Sequence, residues 1–261
     1  MPTLEEFTLA LRAFQQVQAE LGNPPPTGGQ ILPRVTDMLE QAGPLPAHSV
    51  VFGIAGDGLP LILRLDRPVS GPILLLADKG SGKTAFLQAL AHSTRRLNPA
   101  NEAAVLALTD FPEEWQADDL HGHTLQAYPA YEPATSELIL RLADWVTTSQ
   151  RQRQRFILLL LDGLESILHL EDETQQAFAF LLEHGPRAGL WPVVSINSGR
   201  ALKLPDWLAF FQTRIYGRIA NPQVSAELTH LPGAPLESLF PSAEFCMRHQ
   251  SRWMRFWLPS Y

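Results

Sequence analysis

The run Ala77-Asp78-Lys79-Gly80-Ser81-Gly82-Lys83-Thr84 constrains this chain more than any other feature. Two glycines one residue apart, followed at once by lysine and threonine, suit a loop that wraps tightly. Its amide N–H groups then turn toward one centre. Such a loop works between a strand and a helix, and both flanks comply. Ile73–Leu76 is uninterrupted apolar sequence, and Ala85–Leu97 carries a helical pattern. The strand leads in, the loop turns, and the helix presents its electropositive N-terminus to the same point. That arrangement binds phosphate. Lys83 is placed to reach the β- and γ-phosphates of a nucleotide, and the Thr84 hydroxyl to complete a Mg²⁺ shell. Ala77 stands where the commonest form of the loop has glycine. The expected ligands are therefore ATP, held by Ala77–Thr84, and Mg²⁺.

A phosphate loop needs a sheet to carry it. Short apolar runs recur at Ile73–Ala77, Ala104–Leu108, Phe156–Leu161, Val193–Ile196 and Arg214–Ile219. The first and third are continuously apolar, as strands covered on both faces must be. Helical patterns separate them at Lys83–Leu97, Ser136–Ser149 and Glu173–His184. Upstream, Val50–Ile54 and Leu59–Leu65 flank Ala55-Gly56-Asp57-Gly58, a hairpin signature. Downstream, Glu244–Met247 and Trp253–Leu258 read as a closing strand pair. The expected class is α/β: a mostly parallel central sheet with helices on both faces. Composition permits it, since 45% of the 261 residues are hydrophobic and 18% charged.

The division expected is an N-terminal helical arm over 1–45 and an ATPase domain over 46–261. Thr3 and Glu6 form a capping box, and Leu4, Phe7, Leu11, Phe14 and Leu21 make one apolar stripe. A proline-rich linker, Asn23–Gly29, and a short helix over Gln30–Gln41 follow. The stripe suits either a docking arm for a protein partner or a helix packed on its own domain. No targeting segment is visible, and the longest apolar run, Phe156–Leu161, is too short to span a bilayer. With Cys246 as the single cysteine there is no intrachain disulfide. A cytoplasmic protein without direct membrane insertion is the expectation. The net charge of −7 argues against coating nucleic acid by general positive charge, though not against a local basic groove.

Hydrolysis needs a second carboxylate. Phe156–Leu161 runs into Asp162, at the carboxyl end of a buried strand, where a Walker B aspartate holds Mg²⁺. A glutamate commonly follows that aspartate and handles the attacking water, but here the position is Gly163. Glu165 is the nearest carboxylate. It suits either a swing into the site or a helix N-terminus without catalytic role.

These segments together resemble the FtsK/HerA group of motor ATPases, which includes DNA translocases. The resemblance runs from about Val50 to Leu258. It rests on Val51-Phe52-Gly53-Ile54, Asp57-Gly58-Leu59-Pro60-Leu61, the loop ending in Thr84, and Leu106-Ala107-Leu108-Thr109-Asp110. It continues through Phe156–Asp162, Pro186-Arg187-Ala188-Gly189-Leu190 and Val193-Val194-Ser195-Ile196-Asn197. The resemblance implies a RecA-like core, a ring-shaped homo-oligomer (a hexamer) and double-stranded DNA as the polymer moved. It implies that Asn197 senses the γ-phosphate and that an arginine from a neighbouring subunit completes the site. Arg187 is the first candidate and Arg218 the second. Gly163 and Asn197 depart from the glutamate and glutamine usual there, and no basic DNA-tracking loop is evident.

Other signals are weaker. Arg151, Arg153 and Arg155 alternate with glutamines, and Arg248, Arg252 and Arg255 interleave with Trp253 and Trp257. Either set suits phosphate contacts or an ordinary exposed face. His121 and His123 have metal-pair spacing but no further ligand set. Two functions follow: a motor coupling Mg²⁺-ATP hydrolysis to DNA translocation, or a nucleotide-gated switch or scaffold with little hydrolysis. The run Leu161-Asp162-Gly163-Leu164-Glu165, similar to the Walker B of signalling ATPases, favours the second.

Overall fold

The computed structural model describes residues 45–66, 71–115, 122–123, 125–148, 155–249 and 252–259. The N-terminal arm, its linker, Arg151, Arg153 and His121 lie outside the described residues.

One ten-stranded sheet has the order β2-β1-β10-β9-β8-β3-β7-β6-β4-β5. Its strands are β1 (Ser49–Ala55), β2 (Pro60–Arg64), β3 (Ile73–Ala77), β4 (Ala103–Thr109) and β5 (Gln126–Pro129). They continue as β6 (Phe156–Asp162), β7 (Leu190–Asn197), β8 (Thr213–Tyr216), β9 (Glu244–His249) and β10 (Arg252–Trp257). From β8 to β5 all neighbours are parallel. From β8 to β2 they are antiparallel. The expected hairpin is β1–β2, and the expected closing pair is β9–β10, which joins that hairpin to the parallel half.

Alternation along the central strands explains why helices cover both faces. Leu74, Leu76, Leu159, Leu161, Val194 and Ile196 point to one side. There they pack with Leu138, Ile139 and Leu142 of helix α2 (Pro133–Thr148) and Phe178 and Leu181 of α4 (Asp172–Ala188). Ile73, Leu75, Leu158, Leu160 and Val193 point to the other, against Phe86, Leu87 and Leu90 of α1 (Lys83–Leu97). Between α2 and α4 lies a single turn, α3 (Leu164–Ile167). Another single turn, α5 (Ser198–Ala201), follows β7.

Among the differences from expectation are two boundaries and one strand. β8 stops at Tyr216 rather than Ile219, because residues 217–220 peel away to support the phosphate loop. There Gly217 N–H still donates to Leu76 O (2.9 Å), while Arg218 O accepts from Asp78 N–H (3.0 Å). Helix α4 runs on to Ala188, past Pro186, which sits in its last turn before Gly189 caps it. β5 has little sequence signal because it is a four-residue edge strand, only partly buried and ending in proline, with no long apolar run to reveal it.

Register does most of the placing. Thr109 pairs with Asp162, Asp162 with Ser195, and Ala77 with Asn197. The carboxyl ends of four parallel strands therefore finish in one row, and the polar residues that terminate them share one crevice. No described helix is long and apolar enough to cross a membrane.

Candidate functional site

The crevice is an open cavity of about 970 Å³ at the carboxyl ends of β3, β7, β6 and β4. The phosphate loop forms one wall. Its turn depends on Gly82, which has φ 85° at the start of α1, and whose Cβ would stand 2.5 Å from Ser242 Cα. Only glycine accepts both the left-handed backbone and that approach. Ser242 Oγ in turn donates to Gly80 O (3.1 Å), so the segment before β9 braces the loop from outside. From inside, Ser81 Oγ donates to Arg218 O (3.2 Å).

Asp78 ties the loop to two other elements. Its Oδ1 accepts a hydrogen bond from Ser198 Oγ at the start of α5, and its Oδ2 accepts from Ala220 N–H (2.8 Å). The Asp78 side chain therefore faces the protein rather than the cavity. Lys79 is exposed at the rim.

Lys83 lies at the centre. Its ammonium donates to Asp78 O (3.0 Å), Ala77 O (3.3 Å) and Asn197 Oδ1 (2.8 Å). Burial pushes its pKa below 10.5, while the negative charges of Asp162, Glu165 and Asp78 pull it back up. The ammonium is thus partly buried, with three carboxylates close enough to act on it.

Thr84 and Asp162 meet as the sequence implied: Thr84 Oγ1 donates to Asp162 Oδ2 at 2.6 Å. Ser195 Oγ donates to Asp162 Oδ1 (2.8 Å), fixing the carboxylate from the neighbouring strand. This donor set is all oxygen, with one hydroxyl and one carboxylate. It fits Mg²⁺, which takes few protein ligands and fills its octahedron with phosphate and water. The described residues contain no cluster of three or more His, Cys, Asp or Glu that could hold a metal by itself.

Gly163 has φ 111° and ψ 95°, a backbone that side-chain-bearing residues rarely adopt. A Cβ added there would lie 3.7 Å from Glu165 Oε2 and 3.6 Å from Ser166 Oγ. The Glu165 carboxylate thus occupies the space toward which a side chain at 163 would project. Asn197 Nδ2 donates to its Oε1 at 3.4 Å, completing a chain Lys83–Asn197–Glu165. Next to it, Ser166 Oγ donates to Asp110 Oδ1 (2.9 Å), just beyond β4.

The two arginine candidates are elsewhere. Arg187 is exposed in the last turn of α4, before the amino end of β7. Asn197 ends that eight-residue strand, about 23 Å away at the usual rise. Arg218 lends the loop its carbonyl and sends its own Nε to Glu237 O (3.3 Å). The cations that do line the cavity beside Lys79 and Lys83 are Arg200 and Lys203, which the sequence reading missed. Arg200 follows Asn197 by three residues, within reach of the same strand end, and that spacing was a usable signal. Ser195 was another, as the one polar residue in Val193–Ile196 on the face of Asn197.

The remaining sequence signals resolve unevenly. Arg255 is bound by both oxygens of Glu244 (2.7 Å each), a carboxylate only 2% exposed, so its role is structural. Arg155, Arg248 and Arg252 are exposed. His123 is buried, with Nε2 2.6 Å from Asn98 O.

No protein-family model matches this sequence, and no curated protein matches it. Solved structures match in shape. ATPases 2 and 3 of Thermomonospora curvata EccC, in complex with a signal sequence peptide, give a TM-score of 0.65 at 15% identity. That match covers 89% of this chain and 44% of the other. The pCW3 conjugation coupling protein TcpA, a monomer form with ATPγS, gives 0.63 at 16% identity over 86% of this chain and 68% of its own. The cytoplasmic domain of EssC gives 0.63 at 14%, covering 98% of this chain and 52% of the other. This chain therefore spans under half of the EccC structure and about half of the EssC one. The likeness is one of fold: a RecA-like α/β core, as the sequence analysis expected.

Proposed function

We propose that this chain binds Mg²⁺-ATP and hydrolyses it, with Glu165 in the role that the residue after a Walker B aspartate usually fills. The observation that carries this reading is the 3.7 Å between Glu165 Oε2 and the position of a Cβ on Gly163. The carboxylate reaches the needed region from two residues further along.

Ala77–Thr84 cradles the phosphates, and Lys83 exchanges its carbonyl partners for β- and γ-phosphate oxygens. Thr84 and Asp162 would hold Mg²⁺, which neutralises phosphate charge when bound. Glu165 accepts a proton from water as the water oxygen bonds to the γ-phosphorus. The bond from that phosphorus to the β–γ bridging oxygen breaks, and ADP leaves with the electron pair. Asn197, which touches both Lys83 and Glu165, reports whether the γ-phosphate is present.

The likeness in fold to a conjugation coupling protein and to secretion ATPases supports a motor. Movement along double-stranded DNA by a homo-oligomeric ring in the cytoplasm is the form proposed. Arg187, exposed and far from its own subunit's pocket, suits a neighbour's site in that ring. The second reading is a nucleotide-gated scaffold, favoured by the Asn197 contact that holds Glu165 to one side.

Steady-state ATP hydrolysis, with and without double-stranded DNA, decides between them. Turnover stimulated by DNA and lost in both Lys83→Ala and Glu165→Gln is the expected result. ATP binding with no turnover on any DNA leaves the scaffold.

A further inference from the structure

The single turn that follows β7 is committed to the phosphate site residue by residue. Asn197, its N-cap, accepts from Lys83 Nζ. Ser198 Oγ donates to Asp78 in the phosphate loop. Arg200, one residue before the turn ends, lines the same cavity as Lys83, Thr84, Asp162 and Glu165. Its guanidinium makes no ion pair or side-chain hydrogen bond among the described residues, and it is exposed into the cavity mouth.

Arg200 sits in a defined turn directly after β7. Its backbone is pinned on both sides, by the β7 register before it and by Lys203 N–H donating to Arg200 O (2.9 Å) after it. Only the side chain is free to move, and the near wall it can reach is the phosphate site. Lys79 and Lys203 also line the cavity. Neither presents a planar fork, which matches two phosphate oxygens at once and spreads over the charge that develops in phosphoryl transfer. Neither Arg187 nor Arg218 reaches this cavity in the same subunit.

We propose that Arg200 supplies, from within its own subunit, the guanidinium that stabilises the γ-phosphoryl group as it transfers. The proposal rests on the hydrolysis reading above. Arg200 takes no proton and forms no bond; it hydrogen-bonds the γ-phosphate oxygens while water attacks and ADP departs. Arginines in this role contribute about 10³–10⁵ in rate, and an open cavity places Arg200 at the low end.

Three readouts on the full chain test it: turnover, ATPγS affinity, and retention of ADP with aluminium fluoride, a mimic of the transferring phosphoryl group. Arg200→Ala is expected to lower kcat by about 10³-fold and abolish retention of the mimic. Its ATPγS affinity should stay within about threefold, a change smaller than one ordinary hydrogen bond. Arg200→Lys should recover part of the turnover. Mixing Arg200→Ala with Lys83→Ala subunits separates cis from trans. A cis arginine leaves the mixture inactive, whereas recovery of turnover places the arginine in the neighbour's site and overturns the proposal. Wild-type turnover and mimic retention in Arg200→Ala also overturn it. A wild-type protein that binds ATPγS but neither turns over nor retains the mimic overturns the hydrolysis reading and this one together.

Discussion

Restoring the common motif should damage this protein. Gly163→Glu places a glutamate directly after Asp162, where related sites often have it. The backbone at 163, with φ 111° and ψ 95°, lies well outside the small left-handed region that other residues tolerate. A residue held in such a conformation costs about 1–3 kcal/mol, and this distance from the allowed region argues for the upper half of that range. The added Cβ meets its neighbours at ordinary contact, 3.6 and 3.7 Å, so the loss is conformational rather than steric at that atom. Beyond Cβ, the new carboxylate projects toward Glu165, and two carboxylates so close cannot both stay ionised cheaply. For a domain of this size about 2–3 kcal/mol lowers Tm by about 4–12 °C. Gly163→Ala separates the two effects, since it carries the backbone cost without the charge. Thermal melts of both variants, beside ATP turnover, are the assay. A lower Tm in both, with no gain in kcat for Gly163→Glu, is expected. If Gly163→Glu melts like the wild type and restores turnover to Glu165→Gln, the reasoning about both Gly163 and Glu165 is refuted.

Lys83→Met should weaken ATPγS binding by at least about 100-fold, the loss of two charge-assisted bonds of about 1.5 kcal/mol or more each, yet leave Tm unchanged or slightly raised, because burial disfavours the ammonium. The same depression sets a pH dependence: between the lowered pKa and 10.5 the unfolded chain binds more protons than the folded one. Stability relative to the Lys83→Met variant therefore rises with pH through that window, while ATPγS affinity begins to fall before pH 10.5 is reached. An affinity that does not change up to pH 10.5 contradicts the assignment. Gly82→Ala should abolish nucleotide binding without unfolding the sheet, measured by ATPγS titration and circular dichroism, since its Cβ collides with Ser242. Arg255→Ala leaves the Glu244 carboxylate buried without its guanidinium and should cost about 3 kcal/mol in urea unfolding. Glu244→Gln with Arg255→Met should recover most of that loss, and a DNA-binding defect at unchanged stability would contradict the structural role.

The sequence by itself determined the elements that rest on local chemistry. Glycine and lysine spacing at 80–84, with an apolar strand before and a helix after, places a phosphate loop whatever the surrounding topology. The continuous apolar runs Ile73–Ala77 and Phe156–Leu161 demand burial on both faces, hence a parallel sheet with two helical layers. Thr84 and Asp162 meet for the same reason, since strands of that kind end at one edge. What tertiary structure alone decided were the contacts between residues far apart in the chain. Nothing local says that Asp78 turns its carboxylate to Ser198 and Ala220, that Ser242 braces Gly80, or that Ser195 holds the second oxygen of Asp162. Those depend on strand register and on where the 217–220 and 238–243 segments cross the loop. Arginine is the sharpest case. Arg187 and Arg200 are similar in sequence character, both just outside β7. They sit at opposite ends of an eight-residue strand, and only the end that reaches the sheet's carboxyl edge delivers its arginine to the cavity lined by Lys83, Thr84 and Asp162.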